Sequence, residues 1–415
     1  MALAPTSNPA EAAEALPPTP YRWTMMFGVW LLYFAFGTTL ACMAPLVPII
    51  EADIGINHVA MGTILGAWPV VYIASSAPCG ALLDRFGPRP MLFLGTLVVA
   101  ASAATRGLSD GYYGLLLAGI VFGLGGPLIS SGAPKVISVW FSGKTRGLAV
   151  GIYFTGNAFG SVTALSLTNS VMMPLFDGNW RNVMFCYAAF VVFSGLVWLL
   201  INLHPSARRM EEKLAAEPKT PYMQVFMELV RHPVVRLVLL MGIFILFFNH
   251  GFNNWLPTIL ETGGMSKVEA GYWASIPTAF GMISALILPR LATRERRYKI
   301  LFGLFISAAI ATLLIHSADG PLLFLGLVMQ GMCRGAMTSI AILTLMDMDD
   351  GDASRVGAAS GLYFSAAEVG GALGPMSMGA LAEATGGFDA PIFMMTGVAF
   401  LLMLILLRLR AVTRN

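Results

Sequence analysis

The chain has 415 residues, of which 57% are hydrophobic and only 11% charged, with a formal net charge of +3. Soluble globular proteins carry about 25% charged residues, and a single soluble core stops growing beyond roughly 250–300 residues. The composition therefore excludes a soluble enzyme or nucleic-acid binder and predicts an integral membrane protein.

In chain order, residues 1–21 open with a Pro/Ala/Glu tail, "MALAPTSNPAEAAEALPPTP", expected to be disordered. Apolar stretches long enough to span a bilayer as helices follow near 23–50, 59–82, 91–108, 112–141, 147–172 and 182–203. A second set lies near 233–260, 267–289, 299–317, 320–346, 357–382 and 390–408. The prediction is an all-α membrane protein of twelve transmembrane helices. The first apolar run is too long for a signal-peptide core, so no cleavable leader is expected. The polar stretch 204–232 is read as a linker between an N-terminal half, 22–203, and a C-terminal half, 233–410, with 411–415 as a short tail.

Basic residues fix an expected orientation, since cytoplasmic loops collect Lys and Arg. With both termini in the cytoplasm, the cytoplasmic segments hold 20 of the 25 basic residues. The outer loops keep Arg106, Arg181 and Lys267, and Lys135 and Arg334 fall inside helices. This bias accounts for the net charge without nucleic-acid binding. Cys42, Cys79, Cys186 and Cys333 have no metal or redox spacing and read as small buried hydrophobes. The acidic run "DMDDGDASR" (347–355) does not match the spacing of an EF-hand loop. No metal or cofactor is expected.

The two halves repeat. "FGVWLLYFAFG" (27–37) aligns with "MGIFILFFNHG" (241–251), "LLLAGIVFGLGG" (115–126) with "LLFLGLVMQGMC" (322–333), and "GIYFTGNAFG" (151–160) with "GLYFSAAEVG" (361–370). The offsets are about 214, 207 and 210 residues. Such parallel repeats surround a shared cavity near the bilayer midplane, where rocking of one half against the other gives alternating access.

The loop between the second and third helices, "GALLDRFGPRP" (80–90), resembles the major facilitator superfamily signature G-x-L-x-D-R-x-G-x-R/K, with Gly80, Leu82, Asp84, Arg85, Gly87 and Arg89 in place. The resemblance covers roughly residues 22–410 and implies that fold, with a central cavity. It also implies a conformational latch formed by Gly80, Asp84, Arg85, Gly87 and Arg89, with Asp84 facing the start of helix eleven, where a helix N-terminus favours negative charge. The plainer reading is a solvated basic turn. The counterpart "LPRLATRERRYKI" (288–300) lacks the Asp and Gly, Gly119 stands where proton-coupled members often carry Arg, and helix five has no Gly-Pro pair, which argues against a drug exporter. Residues 132–160 look most like permeases of the cyanate/nitroimidazole branch.

Charged groups at membrane depth are expensive and read as functional. By helical rise, Arg334 lies roughly 20 Å from the outer end of helix ten and Glu368 roughly 17 Å from the cytoplasmic start of helix eleven. The first half has Pro127 and Ala158 at the equivalent positions, so the scaffold does not require these charges. Arg334 offers a planar fork of donors to a carboxylate, and Glu368 is the candidate for a coupling proton. The alternative is a structural pair between the two. "FFNHGFNNW" (247–255) adds Asn249, His250 and Asn253 in a region where the first half has Ala35 and Phe36. These three are expected to line the outer pathway, against the plainer reading of a hydrated helix end. Asn157, Tyr33 and Tyr363 complete the candidate binding set, although ordinary packing explains such aromatics equally well. Lys135 is read as snorkelling toward the cytoplasmic interface.

The expected function is secondary active transport of a small solute, an organic or inorganic anion, by alternating access, with proton symport as the coupling mode. The alternative is an exporter or exchanger of a neutral or amphipathic compound, with Arg334 and Glu368 as a structural pair. No Ser/His/Asp constellation, HExxH motif or P-loop appears in the sequence, so an enzyme or an ATP-driven pump is not expected. The setting is the inner cell membrane as a multi-pass monomer, with the lipid bilayer, a small-molecule substrate and a coupling proton as partners.

Overall fold

A computed structural model describes residues 20–141, 143–207, 232–317, 319–346 and 353–414. The expected tail, most of the linker, and residues 347–352 of the acidic run lie outside them. Among the described residues, twelve long helical segments run back and forth: α1 (Tyr21–Ala41), α2 (His58–Phe86), α3 (Pro88–Gly107), α4 (Tyr112–Trp140), α5 (Gly143–Leu167), α6 (Trp180–Ile201), α7 (Pro233–Thr262), α8 (Lys267–Leu291), α9 (Arg297–Ser317), α10 (Gly320–Met346), α11 (Ala353–Thr385) and α12 (Asp389–Arg414). Eleven of the described helices are long and apolar enough to cross a membrane. The twelfth, α11, is 33 residues long and packs within the same bundle.

Local chemistry sets several helix starts. Asn57, Asn179 and Ser266 cap α2, α6 and α8 through side-chain acceptors on backbone N–H groups, and Ser266 with Glu269 forms a capping box. The first span runs further than its apolar stretch predicts. After Ala41 a 3₁₀ turn, Ala44–Leu46, leads into a short helical segment, Val47–Ile54. Pro45 and Pro48 each withdraw a backbone donor there, so the chain tightens and then resumes its helix. A five-residue π-helical stretch, Thr168–Met172, similarly extends α5.

Alternation of the helices puts both ends of the chain on one face, called here the terminal face; the opposite one is the far face. In the first half α1 packs on α5, and α4 on α2 and α3. In the second half α7 packs on α11, and α10 on α8 and α9. The repeat is visible in these crossings. Gly156 and Gly160 of α5 leave no room for a Cβ against the carbonyls of Trp30 and Phe34, and Gly370 and Gly374 of α11 do the same against Ile243 and Phe247 of α7. Small residues allow helices to approach this closely where lipid provides no hydrophobic drive.

The halves meet at the far face. A Cβ on Gly62 would lie 2.8 Å from the Pro375 carbonyl oxygen, and one on Gly66 2.6 Å from that of Ala372. Gly379 abuts the His58 carbonyl, and Gly271 that of Leu165. His58 reinforces the seam: its Nδ1 is 2.8 Å from Glu51 Oε1, its backbone N–H donates to Glu383 Oε2 at 3.1 Å, and its ring lies edge-on to Trp255 at 5.4 Å. Toward the terminal face, a Cβ on Gly147 of α5 or Gly361 of α11 would meet nothing within 4 Å. The tightest glycine contacts between the halves are thus gathered at the far face, which they seal.

Adding volume to the seam tests this. Gly66→Val is expected to force α2 and α11 apart, because the crowded atoms include backbone that cannot swing away. The distance distribution between spin labels at Val59 and Ala384, both exposed, should lengthen. An unchanged distribution would refute the sealing role.

Candidate functional site: a polar centre in the second half

Arg334 is placed by a tight crossing of α8 and α10 in the second half. Gly331 and Gly335 of α10 leave no space for a Cβ against Pro277 and Gly281 of α8. Side chains between them are therefore held at short range. The Arg334 guanidinium donates through Nη2 to Thr278 Oγ1 at 2.7 Å and through Nη1 to Asn253 Oδ1 at 2.9 Å. Both acceptors are neutral, and among the described residues no carboxylate lies within ion-pairing distance of Arg334. The expected alternative, a pair between Arg334 and Glu368, is not what forms.

Glu368 faces His250 instead, with Oε2 3.8 Å from Nδ1. That separation is too long for a direct hydrogen bond and suits a small side-chain movement or an intervening water. Glu368 is only 7% exposed, and neither its Oε2 nor His250 Nδ1 has a hydrogen-bond partner within the protein. Gly371 makes room for both: a Cβ there would lie 2.4 Å from Glu368 Oε2 and 2.7 Å from His250 Nδ1. The His250 ring lies 5.4 Å from that of Trp68 on α2, so this pair adjoins the boundary between the halves.

Asn253 is three residues beyond His250, about 4.5 Å along α7 at the helical rise and on the same face. The two join Arg334 and Glu368 into one polar strip. Asn249 differs: it is 7% exposed with no partner for Oδ1. Asn254 ties its Nδ2 to the His250 carbonyl at 2.8 Å and borders a cavity of about 20 Å³ near the far face.

The remaining candidates make other contacts. Tyr363 is fully buried, its ring against Gly242 of α7. Tyr33 is buried in the first half, donating to the Ser130 carbonyl at 3.2 Å with its ring edge-on to Tyr153 at 4.8 Å. Asn157 is half-buried where α5 crosses Gly37 of α1, with Oδ1 unpartnered. Arg106, expected in an outer loop, is instead 5% exposed inside the first half. It donates to the Thr39 carbonyl at 2.7 Å and Cys42 Sγ at 3.3 Å. It closes the last turn of α3, which carries the side chain back over the bundle.

In the signature loop, Gly87 joins α2 to α3 at φ 82°, a conformation that favours glycine. Arg85 lies over the Phe86 ring at 5.2 Å, and Trp198 donates to the Arg89 carbonyl at 3.0 Å. Asp84 pairs with Lys135 of α4, in the same half; the α11 side chains nearest its implied partner lie outside the described residues. Lys135 thus does more than snorkel. Sequence reasoning also missed Thr278, and Gln330, one turn from Arg334 and fully buried with both amide atoms unpartnered. A polar amide in an apolar helix was the available signal for Gln330.

Two six-helix halves, sealed on one side over a polar centre, define a secondary transporter. The profile of the Major Facilitator Superfamily matches residues 29–350, and the chain belongs to that superfamily. It is accordingly a multi-pass membrane transporter and not an enzyme. The quinolone resistance transporter of Acinetobacter baumannii is 27% identical over 368 residues, covering 83% of each chain. The probable galactarate/D-glucarate transporter GudP of Escherichia coli is 23% identical over 377 residues, covering 81% of this chain and 82% of that one. The crystal structure of a point mutant of the nucleoside transporter NupG superposes with a TM-score of 0.78 at 12% identity, covering 94% of this chain and 99% of that one.

Proposed function

We propose that this chain transports a small organic anion, with Arg334 as the carboxylate anchor and Glu368, facing His250, as the carrier of a coupling proton. The observation that carries the reading is the guanidinium held by Asn253 and Thr278, two neutral acceptors that orient the fork without neutralising it. A cation kept at membrane depth without a counter-charge favours an anionic ligand. The relative named for galactarate and D-glucarate supports the same class, and the likeness of residues 132–160 to cyanate/nitroimidazole permeases fits a small substrate. By the distribution of basic residues the terminal face is cytoplasmic, and the sealed far face is then external.

A second reading, extrusion of an amphipathic compound, draws on the relative named for quinolone resistance. Flux direction separates the two. In proteoliposomes, small carboxylates should accumulate when an inward proton gradient is imposed and should not when it is collapsed. Transport confined to uncharged solutes would overturn the proposal.

The signature loop sets the balance of conformations in this scheme. With the far face sealed, Asp84 is occupied by Lys135, and exchange of that partner accompanies the rocking of the halves. Lys135→Ala is expected to shift the equilibrium toward the outward-open form roughly two- to fivefold, the range of a partly exposed ion pair. The readout is reactivity of a single cysteine at the far-face seam with an impermeant maleimide. Unchanged reactivity would remove Lys135 from the switch.

A further inference from the structure

The wall that meets His250 from the first half differs in kind from the strip that carries Arg334. On the first half, Trp68 and Tyr72 are half-buried one helical turn apart on α2. Behind Trp68 stands Phe122, edge-on at 5.6 Å, and Phe36 stacks on Phe122 at 5.2 Å. The Tyr72 hydroxyl is engaged by Ser130 Oγ at 2.6 Å, so what it presents toward the centre is chiefly ring. The first half therefore meets the polar strip of the second with aromatic surface. The strip reaches that surface through the His250–Trp68 contact.

In the form described, Lys135 and Arg106 of the first half are both engaged. Lys135 is held by Asp84. Arg106 lies behind the aromatic wall, 5.6 Å from the Phe122 ring, and is tied to Thr39 and Cys42. The cavity it borders, about 20 Å³, has room for roughly one water and no ligand. A dicarboxylate rich in hydroxyls would leave its second charge and most of its donors against hydrocarbon, where each unpaired polar group is costly. A flat apolar body would bury favourably there and stack in offset or edge-on geometry.

Resting on the proposal above, we infer that the substrate is an aromatic monocarboxylate, its carboxylate on Arg334 and its ring against Trp68 and Tyr72. The site is one-handed in charge: the second half holds the head group and the first half the body. Trp68 is then a specificity-determining residue, acting on the part of the ligand that Arg334 does not touch.

Binding to the purified full-length protein in nanodiscs tests this by calorimetry, with benzoate, galactarate and benzamide as probes. Benzoate is expected to bind at least about tenfold more tightly than galactarate or benzamide, a difference of about 1.4 kcal/mol. Trp68→Ala should weaken benzoate roughly tenfold, and Trp68→Phe should recover most of that loss, which separates a stacking role from a folding defect. Galactarate binding as tightly as benzoate, or Trp68→Ala leaving benzoate unchanged, would overturn the inference and leave the anion reading standing. Benzamide matching benzoate, or no binding of either anion, would overturn both.

Discussion

Replacing Arg334 with alanine is expected to lower kcat/KM for anion uptake by about two orders of magnitude. Charge-assisted hydrogen bonds to a carboxylate contribute about 1.5–3 kcal/mol, and 1.4 kcal/mol corresponds to a factor of ten. Arg334→Ala also leaves Asn253 Oδ1 and Thr278 Oγ1 without the donor that now satisfies them. Arg334→Lys should recover only part of the loss, because an ammonium is a point charge and cannot hold the same fork against both neighbours. Initial-rate uptake in proteoliposomes, normalised to reconstituted protein, is the measurement. Wild-type rates in Arg334→Ala would eliminate this residue as the anchor, and with it the main support for an anionic substrate.

Glu368→Gln should divide coupling from binding. The amide preserves shape and can hydrogen-bond, but it cannot carry a proton between the two sides. Accumulation driven by a proton gradient is therefore expected to vanish, while exchange of labelled for unlabelled substrate at equal concentrations continues at a rate within about threefold of wild type. The opening at Gly371 that accommodates both Glu368 and His250 keeps the substitution sterically tolerable. His250→Gln serves as the companion variant: a role in passing the proton predicts slower gradient-driven uptake with exchange retained. Gradient-driven accumulation by Glu368→Gln at the wild-type level would place the coupling elsewhere.

The layout of the molecule was legible where composition acts over long distances. Twenty-residue apolar runs have few ways to satisfy their backbone in lipid other than as helices, and the described helices follow the predicted runs with shifts of a few residues. The repeat likewise pointed to two matching halves, and their crossings include Gly160 on Phe34 and Gly370 on Ile243. The charges at 334 and 368 stood out because the other half lacks them.

Partners were not legible, since periodicity says which face a residue occupies but not what meets it. Arg334 met Thr278, 56 residues away, and Asp84 met Lys135, 51 residues away. Arg106 was misplaced because a charge at a predicted helix end reads as solvated, whereas the α3 side chain turns inward to the Thr39 carbonyl. Tyr363 reads two ways in the sequence, as a binding residue and as ordinary packing. Its depth suggested a cavity position, but the space left by Gly242 holds its ring in the packing. Trp68 and Tyr72 stand at plausible cavity depths in the sequence, but ordinary packing explains single aromatics in such helices, and only their assembly beside His250 is informative.

The far-face seam is made largely of main chain, with carbonyls of His58, Leu165, Ala372 and Pro375 against glycines that have no side chain to vary. Selection for a new cargo can therefore act on Trp68, Asn253 or Thr278 without touching the barrier against leakage. The reverse also holds: nearly any mutation at those glycines impairs the barrier whatever the cargo is. Such a division lets a lineage diversify its diet while inheriting its insulation unchanged.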